Sequence, residues 1–205
     1  MKYIEKGKTP AFFDKWRLET NPRAWNDLKN PEKEKLRIAL LEEQGYICCY
    51  CNQRITNNPL HTKIEHFYPK DANKYPEKMF DYDNLLIACN GGERDAKPIT
   101  LHCDSKKDNK EPAPISPKQK ECATHFRYFS SGKMEGKNEK AIQTIEELGL
   151  DIKKFRILRK KAIDEYLEIY SEEETDEILE DLNKKGIEGK YIPFCKAIEF
   201  VLVGN

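Results

Sequence analysis

Four cysteines with a particular spacing constrain the fold of this chain more than any other feature. Cys48 and Cys51 form a C-x-x-C pair, and Cys89 and Cys103 follow singly further along. Two thiolates at the C-x-x-C spacing can hold one Zn²⁺ from a tight turn, and zinc prefers four such ligands in a tetrahedron. The stretch between Cys89 and Cys103 is rich in turn residues, so closing that loop costs little chain entropy. The spacing therefore predicts one structural zinc site that joins distant parts of the chain.

Other interpretations of these cysteines stay open. The C-x-x-C pair would suit a redox dithiol, although no βαβ pattern surrounds it, and cysteines are also common as small buried core residues. His61 and His102 lie close enough in sequence for either to replace a cysteine as a zinc ligand. Three further cysteines are expected outside the site: Cys49 points away from the metal, and Cys122 and Cys195 belong to the helical core.

The length of the chain makes a zinc site informative, because folding alone does not require one. A domain of 205 residues buries about 70% of the surface that its unfolded chain exposes. Basic and acidic residues are equal at 36 each, so bulk charge gives no support to nucleic-acid binding. Seven cysteines are an odd number, which suits a reducing compartment better than a disulfide framework.

Neither a membrane span nor a secretory signal is expected. No apolar run approaches the ~20 residues of a membrane span, and the opening letters "MKYIEKGKTP" contain no apolar signal core. We therefore expect a cytoplasmic protein that makes no membrane contact.

The residue pattern divides the chain into three sections. Residues 1–46 and 113–205 show helical periodicity, with Pro31 in a first helical turn, breaks at Gly149 and Gly186, and a last helix opened by Pro193. Residues 47–112 show little helical periodicity and hold five of the seven cysteines. In this middle section "YICCY" and "TKIEHFY" indicate strands, whereas "NLLIAC" fits either a strand or a helix.

Titratable side chains accompany the cysteines. Glu65 and His66 are adjacent in a strand-like stretch, and a histidine titrates in the range needed to take a proton from water near neutral pH. Asn84 precedes Cys89, and Asp104 follows Cys103 directly. If a helix begins there, Asp104 and Asp108 share one face, and with Glu65 they offer the oxygen ligands that Mg²⁺ or Mn²⁺ prefers. A helix N-cap is the structural alternative for Asp104.

The four motifs "CCYC", "IEHFYP", "DNLLIAC" and "CDSKKDN" follow one another in this order. Together they resemble the HNH endonucleases, whose core is a ββα-metal (His-Me) finger often braced by a four-cysteine zinc site. The nearer resemblance is to the retron-associated HNH proteins and to the HNH subunit of the Septu antiphage system, and it extends to "LLEEQGYICCYC" and "TIEELGLD". It implies an α+β fold, in which a zinc-braced HNH nuclease core over residues 47–112 lies between mainly α-helical N- and C-terminal regions.

The resemblance also implies residue roles. His66 matches the general base, and Asn84 matches the asparagine that orients it. Glu65 stands where many HNH enzymes carry an aspartate that binds the catalytic metal. Asp104 stands where histidine or asparagine is usual, so the kind of ligand at this position departs from the family pattern.

The end of the proposed helix offers a further ligand by the same resemblance. Asp108 lies where some family members carry a second helix ligand, and Asn109 is a competing candidate for that position.

The implied function is metal-dependent hydrolysis of phosphodiester bonds, with DNA favoured over RNA as the expected substrate, within an antiphage system that includes an ATPase subunit. The implied cofactors are structural Zn²⁺ and catalytic Mg²⁺ or Mn²⁺. Lysines around the proposed helix and a basic cluster at residues 153–161 are candidate phosphate contacts, and the helical region 113–205 is the candidate docking surface for the partner. The alternatives are an RNA-cleaving effector of a retron system and a non-catalytic zinc-knuckle binding module.

Overall fold

A computed structural model describes residues 1–71, 73–92, 97–169 and 175–204. This part of the chain contains α-helices and short strands, a mixed α+β architecture. The helices are α1 (Ala11–Thr20), α2 (Glu32–Glu43), α3 (Cys103–Lys107), α4 (Glu139–Leu148), α5 (Lys153–Ile169), α6 (Thr175–Asn183) and α7 (Cys195–Val203). The strands are β1 (Thr62–His66), β2 (Leu85–Cys89), β3 (Phe126–Tyr128) and β4 (Met134–Gly136).

The first two strands form an antiparallel pair in the middle of the chain. Thr62 lies opposite Cys89, and His66 lies opposite Leu85. Every residue of β2 is buried, and β2 packs against α2 and α3. Its uninterrupted apolar run "LLIAC" therefore belongs to a strand buried on both faces, which settles the ambiguity between strand and helix.

The segment "YICCY" differs from its predicted strand. Ile47 makes one isolated bridge with Arg54, and the chain then turns. The amide of Cys48 donates to the carbonyl oxygen of Gln53, and the amide of Asn52 donates to that of Cys48. β-Propensity suggested a strand here, but the C-x-x-C pair forms a tight turn that directs both thiols to one side.

The predicted helix boundaries agree with the structure to within a few residues. Gly149 ends α4 in the left-handed conformation, with φ of 60°, and Asn138 caps the start of that helix by accepting from the amide of Ala141. α6 ends at Asn183, before the predicted stop at Gly186.

A single hydrophobic core draws on all three sections of the sequence. Leu40 of α2, Leu86 of β2 and Phe155 of α5 are fully buried members of it. The section that holds the cysteine cluster is thus packed together with the flanking helices in one core, and the division of the chain at residues 47 and 112 stays a prediction. None of the described helices has the length and apolar character that crossing a membrane requires.

The basic cluster at residues 153–161 is partly structural. Arg159 is buried and donates to the carbonyl oxygens of Gly132 and Leu150 and to the carboxylate of Asp151. Arg156 binds the same carboxylate. Arg159 therefore helps to hold α5 in place, which removes it from the predicted phosphate contacts, whereas Arg156 keeps about half of its side chain exposed.

Candidate metal centre and adjoining cleft

The structure brings the four predicted zinc ligands together. Cys48 and Cys51 lie on the turn after α2, Cys89 is the last residue of β2, and Cys103 is the first residue of α3. Their four sulfur atoms lie within 4.8 Å of one another, and all four residues are buried. The Sγ atoms of Cys48 and Cys103 are 3.8 Å apart, and those of Cys51 and Cys89 are 4.0 Å apart. Zn–S bonds of about 2.3 Å in a tetrahedron require sulfur atoms about 3.8 Å apart, so this cluster fits zinc.

The loop between β2 and α3 closes through a glycine. Gly91 has φ of 78°, and a Cβ atom at that position would overlap the carbonyl oxygen of His102. The carbonyl oxygen of Gly91 accepts from the amide of His102. Glycine therefore permits the close backbone approach that carries the chain from Cys89 back to Cys103.

Proton sharing among the thiols suits a metal-binding cluster. The hydrogen bond with Cys103 lowers the pKa of Cys89 to about 7, while burial raises the pKa of Cys103 well above its usual range. Thiolates bind zinc, and a partly ionised group of thiols is closer to that state than isolated buried thiols are.

The other cysteines and histidines stand apart from the cluster. Cys49, Cys122 and Cys195 are buried outside it, in line with their predicted roles. His102 lies near Thr100, with Nδ1 3.0 Å from the carbonyl oxygen, and packs edge-on against Phe155. Since the cluster comprises cysteines alone, neither His102 nor His61 replaces a cysteine in it.

A cleft of about 800 Å³ adjoins the cluster. Glu65 and His66, the last residues of β1, line it together with Asp104, the second residue of α3. Asp108 and Asn109 also line the cleft. The five predicted residues at this site other than Asn84 thus face one space, although they differ in what they contact.

His66 is held in a defined orientation. Its Nε2 atom is 3.0 Å from the backbone carbonyl oxygen of Met79, and the edge of Trp25 packs on its ring with centroids 4.3 Å apart. A carbonyl oxygen only accepts, so Nε2 carries the proton and Nδ1 keeps its lone pair. Burial lowers the pKa of His66 to about 4, well below the near-neutral value expected from the sequence, and the ring is neutral at physiological pH.

Asn84 acts on His66 through the loop between β1 and β2. Its side-chain oxygen accepts from the amide of Tyr68, and its side-chain nitrogen donates to the carbonyl oxygens of Tyr68 and Lys78. Lys78 directly precedes Met79, whose carbonyl oxygen holds the histidine. Asn84 is therefore positioned to fix the loop that orients His66.

Glu65 is satisfied by neighbouring side chains. The hydroxyl of Tyr50 donates to its Oε1 atom at 2.9 Å, and Nζ of Lys107 lies 2.9 Å from the same atom. Lys107 also donates to the backbone carbonyl oxygen of His66. Lys107 is buried, so the structure removes it from the lysines expected to contact phosphates.

Asp104 lies against Glu65, whereas Asp108 does not join them. Burial, followed by the charge of Glu65, raises the pKa of Asp104 to about 8. The N-cap of α3 is His102, so Asp104 does not take the alternative capping role. α3 ends at Lys107, and Asp108 follows it with φ of 50°, off the predicted shared helix face.

Ligand atoms converge fully in the cysteine cluster alone. Within the described ranges, it is the one group of three or more Cys, His, Asp or Glu residues whose ligand atoms all lie within 4.8 Å of one another. The carboxylates of the cleft therefore offer a pair rather than a complete cage.

The sequence did not predict three residues that contact Glu65 or His66, namely Tyr50, Trp25 and Lys107. Two of them had a signal that points to their positions. Tyr50 stands between ligand cysteines in "CCYC", and Lys107 lies four residues after Cys103, which on a helix places both on one side. Trp25 is distant in sequence and had no comparable signal.

Comparison with known proteins gives one informative similarity. Over 122 residues the chain is 30% identical to the Septu protein PtuB of Bacillus thuringiensis. The matched stretch is 58% of this chain and 42% of that relative, so the chain spans less than half of the relative's length. No protein-family model matches the chain.

Proposed function

We propose that the chain is an HNH-type endonuclease, with β1, β2 and α3 as its ββα-metal finger. The observation that carries the proposal is the neutral His66 beside the paired carboxyl groups of Glu65 and Asp104 in one open cleft. The element order supports it, because His66 ends the first strand and Asp104 is the second residue of the helix.

His66 would act as the general base. Its Nε2–H donates to the carbonyl oxygen of Met79, which leaves Nδ1 to accept a proton from an attacking water. Trp25 restrains the ring from one side, and Asn84 fixes the loop that carries Met79. Such restraint matters because general-base catalysis depends on geometry as well as on pKa.

Glu65 and Asp104 would hold the catalytic divalent ion. Mg²⁺ is commonly bound through one or two carboxylates, with waters and substrate phosphate as its other ligands, so a carboxylate pair fits it. When bound, such an ion supplies Lewis-acid stabilisation of charge on the phosphate oxygens. Asp108 and Asn109, at the edge of the cleft, remain candidates for completing the ligand set.

The substrate would be a nucleic-acid backbone. Lys63 and Lys70 line the cleft, and ammonium groups there would neutralise neighbouring phosphates. The similarity to a Septu protein supports a role in antiphage defence. We further propose DNA as the substrate, an ATPase subunit as the partner and the cytoplasm as the location. The helical region 113–205 would provide the docking surface.

A nuclease assay tests this proposal. Purified protein, alone and with a Septu-type ATPase subunit, is incubated with supercoiled plasmid DNA and separately with tRNA, with Mg²⁺ or Mn²⁺ or with EDTA. We expect metal-dependent nicking of DNA that is lost in His66→Ala. Cleavage of tRNA alone would favour the RNA-cleaving alternative, and equal activity of wild type and His66→Ala would refute the catalytic role.

One observation favours a non-catalytic binding module as the second candidate. Glu65 already accepts a hydrogen bond from Tyr50 and forms an ion pair with Lys107, so part of its charge is neutralised without a metal. Under that alternative the wild type binds nucleic acid but cleaves neither substrate with any divalent ion, and substituting His66 leaves binding unchanged.

A further inference from the structure

A second cavity, of about 1000 Å³, shares no lining residue with the histidine–carboxylate cleft. It lies between residues 2–7, the end of α2 and α7. We call it the lysine cavity, because six lysines and only three glutamates line it. The lysines are Lys2, Lys6, Lys120, Lys137, Lys185 and Lys196, and the glutamates are Glu5, Glu43 and Glu199.

Lys2 is the unusual member of this set. It exposes only 7% of its surface, and within the described residues its ammonium group makes neither a hydrogen bond nor an ion pair. Its nearest support is the ring of Tyr191, with Nζ 4.3 Å from the centroid. Burying a cation without an anion is costly, and a cation–π contact offsets only part of that cost. Burial accordingly lowers the pKa of Lys2.

A second ammonium group approaches the same aromatic ring. Nζ of Lys185 lies 5.8 Å from the centroid of Tyr191 and donates to the backbone carbonyl oxygen of Glu42. No carboxylate of the described chain pairs with it. Two cations drawn toward one ring, without an anion between them, repel each other.

The carboxylates that line the cavity compensate these charges only in part, since Glu199 attracts Lys2 without forming an ion pair with it. Glu43 pairs with Lys6, and Glu199 pairs with Lys196. Glu5 is exposed to solvent. The lining therefore carries a formal excess of three positive charges, to which Lys2 and Lys185 beside Tyr191 both contribute.

An apolar wall adjoins these ammonium groups. Tyr3, Phe200 and Val203 line the same cavity, and each keeps part of its surface exposed. Ligand pockets generally combine apolar walls with a few fixed polar groups, in volumes of about 300–1,000 Å³. A ligand that uses both walls carries anionic oxygen atoms at one end and a flat apolar group at the other.

We propose that the lysine cavity binds a small phosphate-bearing molecule, specifically a nucleoside phosphate. Its phosphate oxygens accept from Lys2 and Lys185, and its base packs against Phe200 and Tyr3. This site is separate from the proposed nuclease cleft and stands whether or not that cleft is catalytic.

Isothermal titration calorimetry of the full chain with ATP tests the proposal, without divalent metal so that the carboxylate cleft does not contribute. Tripolyphosphate and adenosine are titrated in parallel. We expect ATP to bind, and tripolyphosphate and adenosine to bind more weakly. Equal affinity for ATP and tripolyphosphate would overturn the base contact while keeping the anion site, and failure of both to bind would overturn the site.

Two variants assign the binding to these lysines. Lys2→Gln is expected to weaken ATP binding by at least about tenfold, because a buried charged partner is lost. Lys185 lies on the exposed rim of the cavity, so Lys185→Gln tests the same site without disturbing the core. We expect it to weaken ATP binding less than Lys2→Gln does. Lys8→Gln is the matched control, since Lys8 is exposed on the same N-terminal segment and does not line the cavity. If Lys2→Gln and Lys185→Gln bind ATP as Lys8→Gln does, the assignment is wrong.

Discussion

The cysteine cluster and the histidine–carboxylate cleft are neighbours that differ in how completely their ligands converge. Cys103 and Asp104 are consecutive in α3, yet one faces a closed group of four sulfur atoms and the other an open space. All four thiols of the cluster are directed at one another. In the cleft, Glu65 is bound by Tyr50 and Lys107, and Asp108 lies off the helix.

This difference corresponds to two kinds of metal site. A structural zinc site is closed by four protein ligands, whereas a catalytic site keeps positions open for water or substrate. The cluster has the first character, and the cleft has the openness that the second requires. Zinc in the cluster would give the proposed catalytic site on α3 a rigid support, which is a physical reason for a zinc site in a chain long enough to fold without one.

The largest effect should follow from removing one of the four cysteines of the cluster. In Cys103→Ser we expect loss of zinc and loss of order in the elements that the cluster joins, because binding of a structural zinc contributes about 10–16 kcal/mol, as much as a typical net stability of about 5–15 kcal/mol. Zinc content by mass spectrometry and unfolding by circular dichroism measure the two effects.

The neighbouring cysteine provides the control for that change. Cys49 is buried but lies outside the cluster, so Cys49→Ser should retain about one zinc per chain and a cooperative transition. Equal zinc loss in both variants would mean that the cluster is not the zinc site.

The second largest effect concerns the open site. His66→Ala should lower cleavage by about 100- to 10,000-fold, the usual contribution of a general base, while zinc content stays unchanged. His61→Ala is the control, because His61 is exposed just before β1 and does not line the cleft. Cleavage rates with Mg²⁺ compare the two, and equal rates would remove His66 from catalysis.

The third prediction concerns the buried ammonium group of Lys107, which links α3 to Glu65 of the cleft. Lys107→Met should destabilise the fold by about 3–5 kcal/mol, because Glu65 is left as an unpaired buried charge. Urea unfolding measures this change. Lys106→Met, the adjacent lysine that is only half-buried, should change stability little. Similar losses in both would mean that the Glu65–Lys107 pair contributes nothing specific.

The closed site was easier to predict from sequence than the open one, for a physical reason. Zinc needs four soft ligands, and the spacing of Cys48, Cys51, Cys89 and Cys103 carries that requirement directly. Strand β1 and the helix breaks were equally visible, since alternation and glycine reflect local geometry. The strand predicted for "YICCY" was wrong because the tight turn of the C-x-x-C pair overrides β-propensity.

The interior of the cleft depends on contacts between distant residues, which a single sequence does not reveal. Trp25 reaches His66 across 41 residues of sequence and Lys107 reaches it across the same distance. The burial that lowers the pKa of His66 comes from such packing. The early end of α3, which separates Asp108 from Asp104, also reflects where the chain turns after Lys107 rather than any clear helix stop.

The smallest expected effect tests whether the cysteine cluster helps to hold Glu65 of the cleft in place. Tyr50 lies between the ligand cysteines and donates to Glu65, so Tyr50→Phe removes one hydrogen bond to a charged group, a loss of about 1.5–3 kcal/mol. Zinc content should not change, but metal-dependent cleavage should fall because Glu65 is no longer held. Tyr46→Phe, in the turn just before Ile47 and half-buried, is the control. Thermal unfolding by calorimetry and cleavage rates separate two cases. Lower stability with unchanged cleavage means that Tyr50 supports only the fold. A fall in both stability and cleavage means that Tyr50 also orders the cleft.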